Sequence, residues 1–194
     1  MIQTSFKYKT IKTPNKKQGF SLVELMITVA IAGIAISIAI PGLTSFLAQM
    51  RVDNRINELQ KLLLTTRNAA INSGQDAVLC PLRVDNTCDN ITTWTGRIGV
   101  ITVNGLIKER EAIKIGDNLS FNSGTARGIR LNTITYTASG QISTNNFGIF
   151  SYCPREGNDY SRGVTLSFSG RTSLSVDDNK DGRDDVTNQE VACE

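Results

Sequence analysis

The chain of 194 residues contains no histidine. That absence excludes Ser-His-Asp and Cys-His nucleophilic arrangements, because both need an imidazole to take up the proton. Its four cysteines, Cys80, Cys88, Cys153 and Cys193, form no C-x-x-C pair. With no histidine to complete a ligand set, a zinc site has little support. No G-x-x-x-x-G-K-[ST] is present to cradle a phosphate, and scattered acids mark no two-carboxylate chemistry. These gaps point away from an enzyme and toward a structural or binding subunit. Internal repeats and low-complexity linkers are missing too, so nothing divides the chain beyond residue 74 into two domains. Acid is absent from the first 19 residues, which instead carry Lys7, Lys9, Lys12, Lys16 and Lys17.

A nearly unbroken apolar run, Leu25 to Ile40, follows those lysines, and between Phe20 and Ala48 only Glu24 ionises. The stretch is long enough to cross a hydrocarbon core of about 30 Å as a helix. The basic stub keeps the N-terminus cytoplasmic and sends everything after about residue 48 to the far side. A secretory signal would place its small-residue cleavage site after the apolar region and carry no acid within it. Here the candidate cut precedes the run. Gly19-Phe20-Ser21-Leu22-Val23-Glu24, written G|FSLVE, resembles the processing site of type IV prepilins and type II secretion pseudopilins. The resemblance implies cleavage between Gly19 and Phe20 by a prepilin peptidase and N-methylation of Phe20. Residues 1–19 would then be the leader, 20–48 the transmembrane and filament-core helix, and the protein a single-pass bacterial inner-membrane protein with a periplasmic C-terminal domain.

Glu24 is costly in that setting, at roughly 2.5–3.5 kcal/mol on insertion scales for a carboxylate at mid-membrane depth. The resemblance implies a role in assembly with other pilins or pseudopilins, pairing with the freed Phe20 amine in the same chain or a neighbour. The plainer reading is a carboxylate that reaches headgroups and water at the interface. Pro41-Gly42 predicts a kink or local melting. Type IV pilins carry a proline at the matching point, which implies a helix that extends on packing into a filament; an ordinary membrane-helix kink is the alternative.

Residues 49–74 predict an amphipathic continuation of the helix. Ile56, Leu59, Leu63, Thr66 and Ala70 fall at helical spacing, and Asn72-Ser73-Gly74 supplies a stop. From residue 75 to 194 the signals are β. Val78 to Cys80, Ile98 to Val103, Leu106-Ile107, Leu131 to Thr137, Gly148 to Tyr152 and Gly163 to Phe168 are short apolar or alternating runs bounded by turn residues. Val103-Asn104-Gly105-Leu106 predicts a two-residue hairpin. The fold class is α+β, a long N-terminal helix packed against an antiparallel β-sheet domain. An exported domain permits disulfides, and four cysteines allow three connectivities. The preferred one joins Cys80 to Cys88 across a short loop and Cys153 to Cys193 at the C-terminus, the second stabilising by about 4 kcal/mol on loop-closure entropy.

The soluble region resembles the GspH/FimT family in a Cys-Pro after the first strand, Trp94-x-Gly96-Arg97-Ile98-Gly99-Val100, Cys153-Pro154, and Arg162 to Phe168 with Ser169-Gly170-Arg171. This implies a minor pilin of type IV pilus assembly or the H pseudopilin of a type II secretion system. The alternative is a DNA-binding pilus subunit for uptake in natural transformation. DNA-binding members share a Gly-Arg-x-Arg element, where this chain reads Gly170-Arg171-Thr172-Ser173 and lacks the second arginine. Removing the five leader lysines from 21 basic residues leaves 16 against 18 acidic, so the mature chain is slightly acidic. A patch of Arg127, Arg130, Arg162 and Arg171 would need the fold to gather it. Finally, Asp177, Asn179 and Asp181 before Gly182 reproduce the D-x-N-x-D-G opening of calcium loops, with Asp185 at the ninth position. Asn188 stands where a bidentate Glu belongs, so calcium would bind weakly; the competing reading is a solvated acidic tail held by Cys193.

Overall fold

The computed structural model describes residues 19–124, 131–143, 147–155, 160–178, 185–186, 189–191 and 193. Helix α1, Leu22–Ser73, is a single element of 52 residues. The Leu25 N–H donates to the Ser21 carbonyl at 3.1 Å, which sets the first turn. The expected stop at Asn72-Ser73-Gly74 is where the helix ends. Local melting at Pro41-Gly42 does not occur, because helical backbone continues through both residues. Proline removes one donor from the ladder, and the helical turns on either side carry the backbone across the gap.

The chain divides into two compact units, Met1–Gly42 and Leu43–Glu194. In the first, every described side chain from Phe20 to Ile40 is exposed. Mean hydropathy reaches 2.4 over an 18-residue window, so the segment is long and apolar enough to cross a membrane. Two of its hydroxyls are satisfied within the helix, Thr28 donating to the Leu25 carbonyl at 2.8 Å and Ser37 to that of Ile34 at 2.7 Å. A segment in hydrocarbon needs its polar groups satisfied internally.

In the second unit α1 becomes amphipathic. Ala48, Val52, Ile56, Leu59, Leu62, Leu63, Thr66 and Ala70 are buried, at spacings of three and four residues that place them on one face. They share a core with two antiparallel sheets. The first, in order β3-β2-β1-β5, is built from β1 (Ala77–Pro81), β2 (Ile98–Thr102), β3 (Gly105–Arg110) and β5 (Ile134–Tyr136). The second, in order β4-β6-β7-β8, is built from β4 (Asn118–Ser123), β6 (Gly148–Cys153), β7 (Arg162–Leu166) and β8 (Thr172–Leu174). A small hairpin pairs β9 (Asp185–Val186) with β10 (Gln189–Glu190).

Trp94, on the connection between β1 and β2, is fully buried and meets Phe150 of β6 edge-on, with ring centroids 5.0 Å apart. Phe121 of β4 packs on the same ring at 4.6 Å. The Trp94 indole N–H donates to the Leu131 carbonyl at 3.0 Å, so its polar edge is satisfied. Leu59, Leu62 and Leu63 enter the same core from α1. Each such buried side chain contributes roughly 1.5–3 kcal/mol relative to exposure.

The β2–β3 turn differs from the expected one. Register pairs Ile101 with Leu106 and Thr102 with Gly105, so Val103-Asn104 form the loop and Gly105 begins β3 at φ 99°. The glycine supplies the positive φ just after the turn, and the register shifts between Val100 and Ile101.

Candidate functional site

The first turn of α1 carries the residue spacing of a capping motif, although no side-chain hydrogen bond of Ser21 or Glu24 forms among the described residues. Ser21 sits at the N-cap and Glu24 at the third helical residue, the S-x-x-E spacing of a capping box. Phe20 and Leu25 take the two positions of a hydrophobic staple. A carboxylate in the first turn lies near the positive end of the helix dipole, which offsets part of the cost of placing it at the head of an apolar segment. At Gly19 an added Cβ would meet nothing within 4 Å, so crowding among the described residues does not demand glycine there. Residues 1–18 of the expected leader, 1–19, lie outside the described residues.

The cysteines pair as Cys80–Cys88, with sulfurs 1.94 Å apart, and Cys153–Cys193, at 1.93 Å. The first closes the turn after β1, where Leu82 also bridges to Cys88. The second ties the end of β6 to the C-terminal segment.

Of the four arginines, Arg162 and Arg171 are described, and they lie apart. Arg127 and Arg130 lie outside the described residues. Arg162 donates through Nε to Asp53 of α1 at 3.2 Å, and through Nη1 to the Ser161 carbonyl at 3.1 Å. Arg171 is exposed in the β7–β8 turn, at the opposite end of that hairpin from Arg162, since Leu166 pairs with Thr172. Its neighbour Gly170 has a packing reason of its own. At φ 76°, an added Cβ would lie 2.2 Å from the Gly140 carbonyl oxygen, a backbone atom.

Of the calcium-type residues, Asn179 and Asp181 lie outside the described residues. Val176 and Asp185 pair backbone to backbone, at 2.8 Å and 3.4 Å. No group of three metal-ligating side chains forms among the described residues.

Asp117 is a structural centre that sequence reading missed. Its side chain is completely buried and accepts from Arg51 Nε of α1 at 3.1 Å, the Tyr152 hydroxyl of β6 at 2.5 Å and the Arg155 backbone N–H at 3.0 Å. Burial, then the Asp117 hydrogen bond and charge, push the Tyr152 phenol well above its ordinary range, with Arg51 opposing. Nothing in Lys114-Ile115-Gly116-Asp117 distinguishes this acid from a solvated turn residue; only its three partners, far apart in sequence, do.

Residues 14–40 match the prokaryotic N-terminal methylation motif, and residues 55–170 match the family described as Type II transport protein GspH. Over 62 residues the chain is 40% identical to a fimbrial protein of Pseudomonas aeruginosa, a match spanning 32% of this chain and 40% of that protein. Among solved structures, the type IV minor pilin FimU of Pseudomonas aeruginosa is similar at TM-score 0.51 and 16% identity, covering 68% of this chain and 92% of FimU. The minor pseudopilin EpsH of the Vibrio cholerae type 2 secretion system gives TM-score 0.44 and 22% identity over 64% of this chain and 95% of EpsH.

Proposed function

The chain belongs to the Type II transport protein GspH family, whose match spans residues 55–170, and we propose that it is a minor subunit of a type IV pilus or related filament. The observation that carries this reading is the exposed apolar first unit of α1, headed by one carboxylate at the third helical residue. In this reading the prepilin peptidase cuts between Gly19 and Phe20, and Phe20 is N-methylated. The inner membrane holds the segment from Phe20 to about Ala48 until other pilins or pseudopilins replace the lipid around it. The globular unit faces the periplasm. A pilus role is favoured over a secretion pseudopilus by the 40% identity over 62 residues to a fimbrial protein.

In assembly, Glu24 pairs with the methylated Phe20 amine of an adjoining subunit, the cation that cleavage creates. Pro41 is the point at which the helix extends under packing, having already lost one hydrogen bond. The test is Glu24→Val. Insertion is kept, because the variant removes a polar group from an apolar segment. Sheared filaments should lack the variant, while N-terminal sequencing of the membrane fraction begins at Phe20. Normal incorporation overturns the assembly role of Glu24; a different terminus overturns the processing site. Loss of this chain from cells should reduce surface filaments, whereas a defect confined to protein secretion would favour the pseudopilus.

A further inference from the structure

Three contacts give the globular unit a near end and a far end along α1. Arg51 donates to Asp117, just before β4, at 3.1 Å, and Arg162, the first residue of β7, donates to Asp53 at 3.2 Å. Farther along the helix, a Cβ on Gly140 would lie 2.6 Å from Ile71 and 3.2 Å from Arg67 Nε. At a rise of about 1.5 Å per residue, Arg51 and Ile71 stand about 30 Å apart. The β7–β8 turn belongs to the far end, since Gly170 lies against Gly140. The connection from β3 to β4 belongs to the near end. It is pinned at Ile113, whose N–H donates to the Thr95 carbonyl at 2.9 Å, and at Asp117, whose N–H donates to the Lys114 carbonyl at 3.0 Å and closes a turn. Gly116 takes the third position of that turn at φ 96°. At the tip, Ile115 is 92% exposed. Lys114 beside it is exposed, and the exposed Arg155 lays its aliphatic stem over Gly116, 2.7 Å from where a Cβ would stand.

A single exposed isoleucine needs no occupant. This one shares the near end with an exposed apolar stripe of α1, formed at helical spacing by Leu43, Phe46, Leu47 and Met50. Arg51, which holds Asp117, follows that stripe by one residue and lies about 4.5 Å along the axis past Ala48. A headgroup layer is roughly 5–7 Å deep on each face of the hydrocarbon. Building on the reading that the membrane holds the chain to about Ala48, we propose that the 114–117 turn docks on the periplasmic surface of that same bilayer. Ile115 enters the interface of anionic phospholipids, and Lys114 and Arg155 meet their phosphates. Cations beside an apolar tip suit such an interface, each near-surface cation strengthening attachment about fivefold. Among the described residues, the acids of this end are committed or distant. Asp117 is enclosed by Arg51 and Tyr152, and Asp53 is bonded to Arg162. Glu111 lines a cleft farther along α1 with Lys61 and Lys108. Asp177 and Asp178 follow β8, three strand spacings or about 14 Å from β4 across the sheet, beyond the screening length of about 8 Å at physiological ionic strength. The spanning segment keeps this end of the unit at high effective concentration beside the bilayer, so a weak contact suffices.

The test reconstitutes the full chain in vesicles of phosphatidylcholine, alone or mixed with phosphatidylglycerol, and reads tryptophan reporters with lipids brominated high on their acyl chains. Trp94 is fully buried, and its signal is subtracted with the unaltered chain. Ile36→Trp reports the spanning segment, Ile115→Trp the near-end turn, and Phe168→Trp the β7–β8 turn at the far end. The Phe168 variant also controls for the interfacial preference of tryptophan itself. Ile115→Trp should shift to the blue and be quenched more strongly in vesicles containing phosphatidylglycerol, and concentrated salt should remove that difference. On this background Lys114→Gln and Arg155→Gln should each lower the docked-to-free ratio about fivefold. Both side chains are exposed, so the fold is kept. Phe168→Trp should stay unquenched. No quenching at Ile36 overturns the membrane reading and the proposal with it. Quenching at Ile36 with none at Ile115 overturns the proposal alone and leaves the turn to a protein partner. Equal quenching at Ile115 and Phe168, or quenching at Ile115 indifferent to lipid charge and to both glutamine variants, also overturns it.

Discussion

Asp117 shows how one buried carboxylate can join the two halves of the globular unit, since Arg51 reaches it from α1 and Tyr152 from β6. The same neighbourhood makes a pH prediction with a definite sign. Burial raises both Tyr136 and Tyr152 far above the ordinary phenol range near 10, with Asp117 adding to the shift at Tyr152. Their contribution is complete below pH 10 and is lost as pH rises, because the unfolded chain sheds two phenol protons that the fold retains. Arg110 works in the opposite direction. Its guanidinium falls to about 10 in the fold, so above that pH the folded chain gives up a proton that the unfolded chain keeps, and a destabilising charge is relieved. One proton net separates the states, and stability should fall by about 1.4 kcal/mol per pH unit above pH 10. In Tyr152→Phe the remaining phenol and Arg110 cancel, so the slope should flatten even though the variant starts less stable. Denaturant midpoints between pH 9.5 and 11.5, at about half-unit steps, give both slopes. An unchanged slope in Tyr152→Phe rejects the assignment.

The elements differ in how firmly they are tied, and the disulfides make this measurable. Cys153–Cys193 spans a separation of 40 residues and Cys80–Cys88 one of 8. On loop-closure entropy the long bridge contributes about 4 kcal/mol and the short one about 2.5 kcal/mol. Paired Cys→Ser variants should therefore lower stability more at 153/193 than at 80/88 in denaturant melts; the opposite order would mean the short bridge relieves or imposes strain that entropy omits. Helix α1 was legible because Ile56, Leu59, Leu63, Thr66 and Ala70 repeat at its period, and β1, β2, β6 and β7 because their apolar runs are continuous. Strand β4 was not, although Asn118–Ser123 buries Leu119, Phe121 and Ser123 on one face. Its four polar positions, Asn118, Ser120, Asn122 and Ser123, lowered the average below that of the neighbouring runs. Only pairing with β6, Asn118 opposite Cys153 through Ser123 opposite Gly148, makes it a strand. The hairpin residues were read correctly as a turn, but its register depends on a bulge that no local pattern records. At the site, Glu24 and the cysteines were visible as residue types at telling positions. Asp117 was not, because its meaning lies in burial beside partners distant in sequence.

At the scale of the whole molecule, net charge and the placement of arginines bear on nucleic acid. Residues 20–194 hold 16 basic and 18 acidic side chains, since five of the 21 basic residues lie before Phe20. Arg162 is committed to Asp53, and Arg171 stands at the other end of the β7–β8 hairpin. Few phosphates can be neutralised at once by such a surface, and each one neutralised contributes about 0.9 to the slope of log affinity against log salt. Duplex DNA should therefore bind the mature chain weakly, with a slope of about −2 or shallower. Ser173 offers a sharper version of the experiment. It is exposed on edge strand β8, two residues beyond Arg171 of the preceding turn. Ser173→Arg should strengthen binding and steepen the slope by about 1, one phosphate's worth. Its hydroxyl makes no hydrogen bond among the described residues, and the carbonyl that accepts from Thr165 Oγ1 is unaffected by the change, so folding should be preserved. Fluorescence anisotropy across about 50 to 200 mM salt measures both chains. A steep slope in the unaltered chain, lost in Arg171→Ala, would make this subunit a DNA receptor; a shallow one restored to steepness by a single added arginine would show that the hairpin is a competent platform lacking only that cation.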